Sequence, residues 1–280
     1  MREMTLEEIQ HVSLEILKDV HRFCVENGIK YSLCYGTLLG AIRHNGFIPW
    51  DDDIDIMMPR PEYEKFIRSY QSEKGYTLFA AENNDGDTEV SIAFARVCEM
   101  KMTFVDTGIG PWCNKRTGVW IDIFPIDGAP DDDNKAWKRL NEMNRLSSLV
   151  SKLRIRKGYR FVYKAKTLKF QIRLIAKNIV ALFIRDDVVG RYIGMCREYK
   201  FDETNHIANY SCAYYKEKER HRRDVMNSYI LHTFESEQFY IISGYEDYLS
   251  RIYGDYMKLP PVDKRVSLHR FNTFYQLTSL

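Results

Sequence analysis

The feature of this sequence that most constrains its fold is a run of acids inside an apolar segment. Residues 50–57 read Trp-Asp-Asp-Asp-Ile-Asp-Ile-Met. Because side chains alternate across a β-strand, a strand here places Asp51, Asp53 and Asp55 on one face. Asp52 then lies on the other face with the isoleucines. Carboxylates that share a face repel one another, and the repulsion is tolerable only in open water or around a cation. The apolar flanks argue against open water, so the segment predicts a divalent metal site.

A short helix is predicted immediately before these acids. It opens with Gly36 and Thr37, continues through an apolar run and ends in Arg43 and His44. A small residue and a hydroxyl at the head of a helix leave backbone N–H groups and the positive end of the helix dipole available to a phosphate. A run of aspartates by itself is more often a solvated turn, but its position after this helix start favours a ligand site.

A third acid lies in the apolar segment 118–125, which reads Gly-Val-Trp-Ile-Asp-Ile-Phe-Pro and predicts a strand. A buried carboxylate without a partner is costly. Asp122 therefore either accepts backbone N–H bonds or serves as a further metal-binding or base carboxylate. Asp127, beyond Pro125, is predicted to form a turn. Arg96 is a lone cation in another predicted apolar strand, where it either contacts a bound substrate or lies at the rim.

A strongly basic segment follows. Residues 144–184 contain eleven Lys or Arg and no acid, although the whole chain of 280 residues carries a net charge of only +2. Within this segment Ile172, Ile175, Ile179 and Phe183 recur at helical spacing, which predicts an amphipathic helix. Three interpretations stay open. The segment is a solvated face of a helical subdomain, an electropositive surface for an anionic membrane or a polyanionic acceptor, or a nucleic-acid surface, for which no reading motif is present.

Composition narrows the classes of protein further. The six cysteines include no C-x-x-C pair, which indicates neither a zinc knuckle nor a disulfide framework and predicts buried, reduced thiols. No apolar run approaches the length of about 18 residues that a membrane span needs. The N-terminus also lacks a signal-peptide core. These features predict a cytoplasmic protein of one large domain or two small ones.

The segment GTLLGAIRHNGFIPWDDDIDI, residues 36–56, resembles the signature of the LicD family, which is similar to the nucleotidyltransferase superfamily. In that superfamily a Gly-Ser helix start precedes a strand with Asp-x-Asp, and a third carboxylate follows later. Thr37 stands here at the position of the serine and keeps the hydroxyl. The resemblance resumes at residues 118–128 and 245–261, and it is poor between about 135 and 205.

The resemblance implies an α/β (α+β) fold, with a nucleotidyltransferase-like mixed sheet flanked by helices. Residues 1–135 and 205–280 would form the catalytic domain, and residues 136–204 a basic helical insertion. In the implied site, Asp53, Asp55 and Asp122 are the catalytic residues and hold Mg²⁺ (or Mn²⁺), while the neighbouring acids matter less. The donor-binding residues implied are Gly36, Thr37, Arg43, His44 and Arg96.

Proteins of the LicD family are associated with moving a phosphocholine-type group from a CDP-alcohol onto a cell-surface glycan or its lipid-linked precursor, with release of CMP. Lipopolysaccharide and teichoic acid are such glycans. The resemblance therefore implies a phosphotransferase with choline as the preferred alcohol. It would work from the cytoplasm at the anionic inner face of the membrane, and no nucleic-acid partner is expected. Two alternatives stay open: an NTP-using nucleotidyltransferase that releases pyrophosphate, and a catalytically silent member that binds glycans or membranes.

Overall fold

The computed structural model describes residues 1–80, 94–106, 117–156, 187–212, 215–267 and 272–277, together with single positions between 172 and 183. Its helices are α1 (Leu6–Glu26), α2 (Tyr35–His44), α3 (Arg60–Ser69), α4 (Asp133–Arg156), α5 (Val188–Cys196) and α6 (Tyr245–Tyr253). Its strands are β1 (Arg2–Glu3), β2 (Ser32–Leu33), β3 (Asp55–Pro59), β4 (Thr77–Phe79), β5 (Ala95–Cys98), β6 (Thr103–Asp106), β7 (Trp120–Ala129), β8 (His206–Ala208), β9 (Arg220–Arg222), β10 (Tyr229–Phe234), β11 (Glu237–Ile242) and β12 (Thr273–Gln276).

The centre of the fold is a mixed sheet in the order β2-β3-β7-β5-β4. Strands β3 and β7 are parallel, whereas the other neighbours in this sheet are antiparallel. β8 pairs with the far end of β7, and β9 pairs with β8. Two smaller sheets, β1-β12-β6 and the hairpin β10-β11, complete the described strands. The predicted α/β class with a mixed sheet is confirmed.

Helix α1 forms where local sequence signals place it. Thr5 caps its start: the Glu8 N–H donates to Thr5 Oγ1 (3.3 Å), and the Thr5 N–H donates to Glu8 Oε2 (2.9 Å). This reciprocal capping box satisfies backbone donors that a helix start leaves without intrahelical partners. Ile16, Leu17 and Val20 recur at helical spacing and are completely buried. The helix thereby closes one side of the main core and contacts β7.

The strand at the acidic run begins later than the sequence predicts. Residues 51–54 are irregular, and β3 starts only at Asp55. The Asp51 N–H bonds to Ile48 O (2.9 Å) in a turn, and cross-strand pairing with β2 and β7 begins only afterwards. The expectation that Asp51, Asp53 and Asp55 share one strand face is therefore wrong, because side-chain alternation applies only where the chain is extended and paired.

Strand β7 is longer than predicted and passes through Pro125 to Ala129. Pro125 lies between the last residue paired with β5 and the first paired with β8, where a missing N–H is tolerated. Asp127 is therefore a buried strand residue, and its prediction as a turn former is wrong. Its carboxylate accepts two hydrogen bonds from Arg60, from Nε at 2.6 Å and Nη2 at 2.8 Å. This bidentate ion pair links α3 to β7, the middle strand of the sheet.

Helices α4 and α5 pack against each other over a second, smaller core. This core also takes in side chains from the end of β7 and from β8. The predicted domain boundaries stay a prediction. Of the basic segment, residues 157–171 lie outside the described residues, as do Arg173 and Lys177. Between residues 172 and 183, the large apolar side chains that the structure describes are exposed: Ile172, Ile175, Ile179, Val180 and Phe183.

Two further observations concern the described parts of the chain. None of the helices placed there is both long and apolar enough to span a bilayer. The five cysteines described are free, and four of them are buried. Burial raises the pKa of the Cys34 thiol well above its usual range, as expected for a thiol without an activating cation. These cysteines therefore act as small apolar core residues.

Candidate active site

The predicted carboxylates meet at the start of the parallel pair β3–β7. Asp55 and Asp122 are directly opposite each other in the register of this pair. Oxygen atoms of Asp51, Asp52 and Asp53, on the irregular approach to β3, all lie within 4.8 Å of one another. The structure thus brings Asp53, Asp55 and Asp122 into one region and adds Asp51 and Asp52. The sequence interpretation had placed Asp52 on the opposite face.

Backbone contacts hold these acids in place. We call them the acidic cluster: Asp51, Asp52, Asp53, Asp55 and Asp122. Thr37 Oγ1 accepts a hydrogen bond from the Asp55 N–H (2.8 Å). The Asp122 N–H donates to Ile54 O (2.9 Å), and Gln10 Nε2 of α1 donates to Asp51 O (2.8 Å). Three separate elements therefore fix the course of the irregular residues. Such support is what a site needs if its carboxylates are to stay near one another despite repulsion.

The electrostatics of the cluster suits a cation. Burial raises the pKa of the Asp55 carboxyl well above its usual range, and the charges of Asp53, Asp122 and Asp51 raise it further. Arg96 opposes these effects. Hard carboxylate oxygens are the ligands that Mg²⁺ and Mn²⁺ prefer in proteins. A divalent cation would restore the ionised form, so the donor set fits such an ion.

Arg96 is the partner that the buried Asp122 requires. It lies directly across the antiparallel pair β5–β7 and binds the carboxylate through both oxygens, at 2.5 Å from Nε to Oδ1 and 3.2 Å from Nη2 to Oδ2. Its guanidinium also lies over the Trp120 ring, 4.5 Å from the centroid. Burial works to lower the pKa of Arg96, but Asp122 outweighs it, so the pKa is raised. Carboxylate oxygens have further lone pairs, so Asp122 can hold Arg96 and a cation together.

The start of α2 is shaped around the acidic cluster. A Cβ on Gly36 would lie 2.6 Å from Asp51 Oδ2, so only glycine lets this carboxylate approach the helix start. The N-cap residue, Cys34, makes no side-chain cap. Thr37 is buried, and its hydroxyl oxygen is engaged by Asp55. Tyr35 has a positive φ of 46°, a strained conformation for a bulky residue that is found mostly at functional sites.

Arg43 and His44 lie at the opposite end of α2 from Gly36 and Thr37. Arg43 Nε contacts His44 Nε2 (3.0 Å), and Arg43 Nη1 donates to Tyr256 O (2.9 Å). Burial lowers the pKa of Arg43, and the nearby charge of Arg265 lowers it further. Arg265 in turn lies over the Trp50 ring, 5.7 Å from the centroid, immediately before the acids. The loop 254–267 thereby places Arg265 beside Trp50, the residue before Asp51.

Several residues of the site were missed by sequence reasoning. Tyr35 Oη donates to Glu219 Oε2 (2.7 Å), and Asn209 Nδ2 donates to Tyr35 Oη (2.8 Å). Burial raises the pKa of Glu219 to about 8, against the opposing effect of its hydrogen bonds. The Tyr215 ring stacks on Tyr35, and Tyr253 lies edge-on against Tyr215. No local signal marks these residues, since their partners are far away in sequence.

Comparisons with known proteins place this site in a family. Residues 28–148 match the family described as LicD/FKTN/FKRP, nucleotidyltransferase domain, and this span contains every site residue predicted from the sequence. The lipopolysaccharide cholinephosphotransferase LicD of Haemophilus influenzae is 31% identical over 278 residues, which cover 96% of this chain and 97% of that protein. An uncharacterised protein of Rickettsia prowazekii is 36% identical over 74 residues, 23% of this chain and 28% of its own.

The fold and the site thus define the class as a nucleotidyltransferase-like domain with a carboxylate cluster on its parallel strand pair. Within that class, the chain belongs to the LicD family. The resemblance expected from residues 36–56 is confirmed.

Proposed function

We propose that this chain transfers a phospho-alcohol, with phosphocholine preferred, from a CDP-alcohol to a hydroxyl of a cell-surface glycan or of its lipid-linked precursor. The observation that carries the proposal is similarity over nearly the whole chain to a lipopolysaccharide cholinephosphotransferase, with a carboxylate cluster at the shared domain. The family makes the chain a phosphotransferase enzyme. The donor, the metal and the released nucleotide are parts of the proposal.

In the proposed reaction, an acceptor hydroxyl attacks the phosphorus that carries the alcohol. A new O–P bond forms, the bond to the bridging oxygen breaks, and CMP leaves with that oxygen. Asp122 accepts the proton of the hydroxyl while Arg96 holds both of its oxygens in one orientation. Such transfers depend on positioning and charge neutralisation more than on a strong base.

Asp53, Asp55 and Asp122 would hold Mg²⁺ or Mn²⁺, with Asp51 and Asp52 close enough to share in binding. When bound, such an ion neutralises phosphate oxygens and aligns the attacking and leaving groups. Arg96 supplies fixed positive charge at Asp122, which suits the donor diphosphate, and Arg43 stays a candidate for a donor contact. Gly36, Thr37 and His44 stay candidates for donor contacts; Thr37 also positions Asp55.

The experiment that tests the proposal identifies the donor and the leaving group together. The protein is incubated with CDP-choline, CDP-glycerol, CDP-ribitol, CTP or ATP, with a lipopolysaccharide acceptor, in the presence of Mg²⁺ or of EDTA. CMP and pyrophosphate are then quantified. We expect CMP release from a CDP-alcohol that depends on acceptor and metal, and stabilisation against heat by the same donor. Pyrophosphate release from an NTP would instead support a nucleotidyltransferase, and no turnover with any donor would support a silent binding protein.

A further inference from the structure

A group of three tyrosines lies beside the acidic cluster. The ring of Tyr215 stacks on Tyr35, with centroids 5.5 Å apart and planes inclined by 18°. Tyr253 meets Tyr215 edge-on at 5.6 Å, and the Tyr215 hydroxyl donates to the Tyr253 hydroxyl at 3.1 Å. Tyr35 is buried, whereas Tyr215 and Tyr253 are half-buried and keep accessible surface. The side chains of Tyr215 and Tyr253 are therefore partly accessible to a ligand, unlike those of fully buried tyrosines.

The backbone places these rings next to the carboxylates. Tyr35 precedes Gly36, and Asp51 Oδ2 lies 2.6 Å from the position that a Cβ on Gly36 would take. Tyr253 ends α6, which packs against α2, and Arg43 of α2 donates to the carbonyl of Tyr256 three residues further on. The pKa of Tyr253 is raised well above its usual range, by burial first and by the charges of Asp55 and Asp51 as well.

This combination suits a positively charged, weakly hydrated alcohol group. Aromatic faces attract a quaternary ammonium through their quadrupoles. A neutral alcohol of the same shape gains only apolar contact. Arg96, which binds Asp122, serves the opposite end of such a donor, because a guanidinium attracts phosphate. The tyrosines and this arginine therefore match the two charged parts of one zwitterionic phospho-alcohol.

We infer that Tyr215 and Tyr253 form the subsite that recognises the alcohol of the donor and selects a quaternary ammonium group over a neutral group of equal size. The inference rests on the proposed function, which it deepens by naming the residues for donor specificity. Tyr35 supports the subsite from behind by stacking on Tyr215.

The test compares two donors that differ only in charge. One is CDP-choline, and the other is its neutral isostere, in which a tert-butyl group replaces the trimethylammonium group. Their Kd values are measured by calorimetry for the unmodified protein, Tyr215→Leu, Tyr253→Leu and Tyr253→Phe. Tyr245→Leu, a half-buried tyrosine at the other end of α6, is the matched control. CMP binding reports whether each variant keeps a folded nucleotide site.

We expect the unmodified protein and the control to bind CDP-choline about tenfold more tightly than the isostere, the scale of one desolvated cation–π contact. Tyr215→Leu and Tyr253→Leu should lose this preference while binding CMP normally, and Tyr253→Phe should keep it because the ring remains. If the unmodified protein binds both donors equally, or if the leucine variants keep the preference, the subsite assignment is overturned. If it binds neither donor, the proposed function itself fails.

Discussion

At the scale of single residues, the sharpest prediction concerns the acids of the acidic cluster. Asp53→Asn and Asp55→Asn should each lower the rate of CMP release by orders of magnitude. Removing one member of a cooperating site costs nearly as much activity as removing several. Each change also removes repulsion around Asp55, so the melting temperature without metal should not fall. Product release and thermal unfolding are measured in parallel, with and without EDTA. Asp224→Asn, an exposed acid paired with Arg222, serves as the control. Normal turnover in either of these two variants would contradict the proposed metal site.

Thr37 tests whether the hydroxyl positions the cluster. In Thr37→Val the Asp55 N–H loses its acceptor, and a buried unsatisfied donor costs about 1–3 kcal/mol. We expect a loss of roughly 1–2 kcal/mol in unfolding free energy and in donor binding, since Asp55 moves with its backbone. Thr37→Ser keeps the oxygen and should restore most of both. Denaturant unfolding and donor titration give the two quantities. A loss of stability with unchanged donor affinity would leave Thr37 a purely structural role.

The buried carboxyl of Glu219 should make the free energy of unfolding fall as the pH rises. Its pKa is about 8 in the folded protein, against 4.5 as the ordinary value, so the folded state keeps the proton longer than the unfolded chain does. Its contribution to stability is full below pH 4.5 and is lost as the pH rises toward about 8. In that window the slope is about 1.4 kcal/mol per pH unit. Glu219→Gln keeps an acceptor for Tyr35 and should flatten this slope in urea unfolding. An identical slope in both proteins would contradict the buried, protonated carboxyl.

At the scale of elements, the turn between α2 and the acids depends on a close backbone approach. A Cβ on Gly40 would lie 2.4 Å from Gly46 O and 3.2 Å from Ile48 N. Gly40→Ala should therefore shift the turn that delivers Asp51, and destabilise the protein by about 1–3 kcal/mol, as overpacking does. Donor binding should weaken with it. The matched control is Gly190→Ala in α5, where a Cβ meets nothing within 4 Å.

For that control, alanine should be neutral or should stabilise α5 by roughly 0.5–1 kcal/mol. Both variants are compared by thermal unfolding and by donor titration. Equal melting temperatures for Gly40→Ala and the unmodified protein would show that the turn yields without cost, and the tight approach would then have no role in placing the acids.

The helices were predictable because their signals are local. The Thr5–Glu8 capping box, Pro61 at the start of α3 and the periodicity of α6 all act within a few residues. The limits of the strands were not predictable from local signals, because they are set by pairing. β3 begins where it first pairs with β7, and β7 extends as far as its pairing with β8. The family signature could predict that Asp53, Asp55 and Asp122 lie in one region, whereas strand alternation gave the wrong face for Asp51 and Asp53. Arg96 as the partner of Asp122 and Glu219 as the partner of Tyr35 depend on tertiary contacts that no spacing reveals.

At the scale of the whole molecule, the basic segment raises the question of where the enzyme meets its acceptor. Ile172, Ile175, Ile179 and Phe183 are exposed at helical spacing, within a stretch of sequence free of acids. Each Lys or Arg near an anionic leaflet contributes about 1 kcal/mol, and the attraction is screened by salt. We therefore expect salt-sensitive binding to anionic liposomes and little binding to neutral ones, measured by cosedimentation.

Replacing four basic residues should abolish this binding while release of CMP from a soluble donor continues. The residues to replace with Gln are Lys164, Lys166, Lys169 and Arg173. An equal number of exposed lysines elsewhere gives the control with the same change in net charge: Lys30, Lys101, Lys135 and Lys138. If the control loses liposome binding equally, general charge rather than this segment is responsible. Absence of binding at low salt would mean that the basic segment binds a soluble polyanion or no ligand at all.

The contacts between the two ends of the chain also bear on its biosynthesis. Tyr35 and Glu219 are 184 residues apart, and Arg43 reaches a carbonyl 213 residues away. The ribosome therefore delivers every acid of the cluster long before it delivers the residues that brace the start and end of α2. Contacts of such separation form late and slow the folding of a chain. A chain that ends shortly after residue 148 would carry all the acids of the cluster yet lack those braces, so we expect limited proteolysis to cut it faster than the full chain.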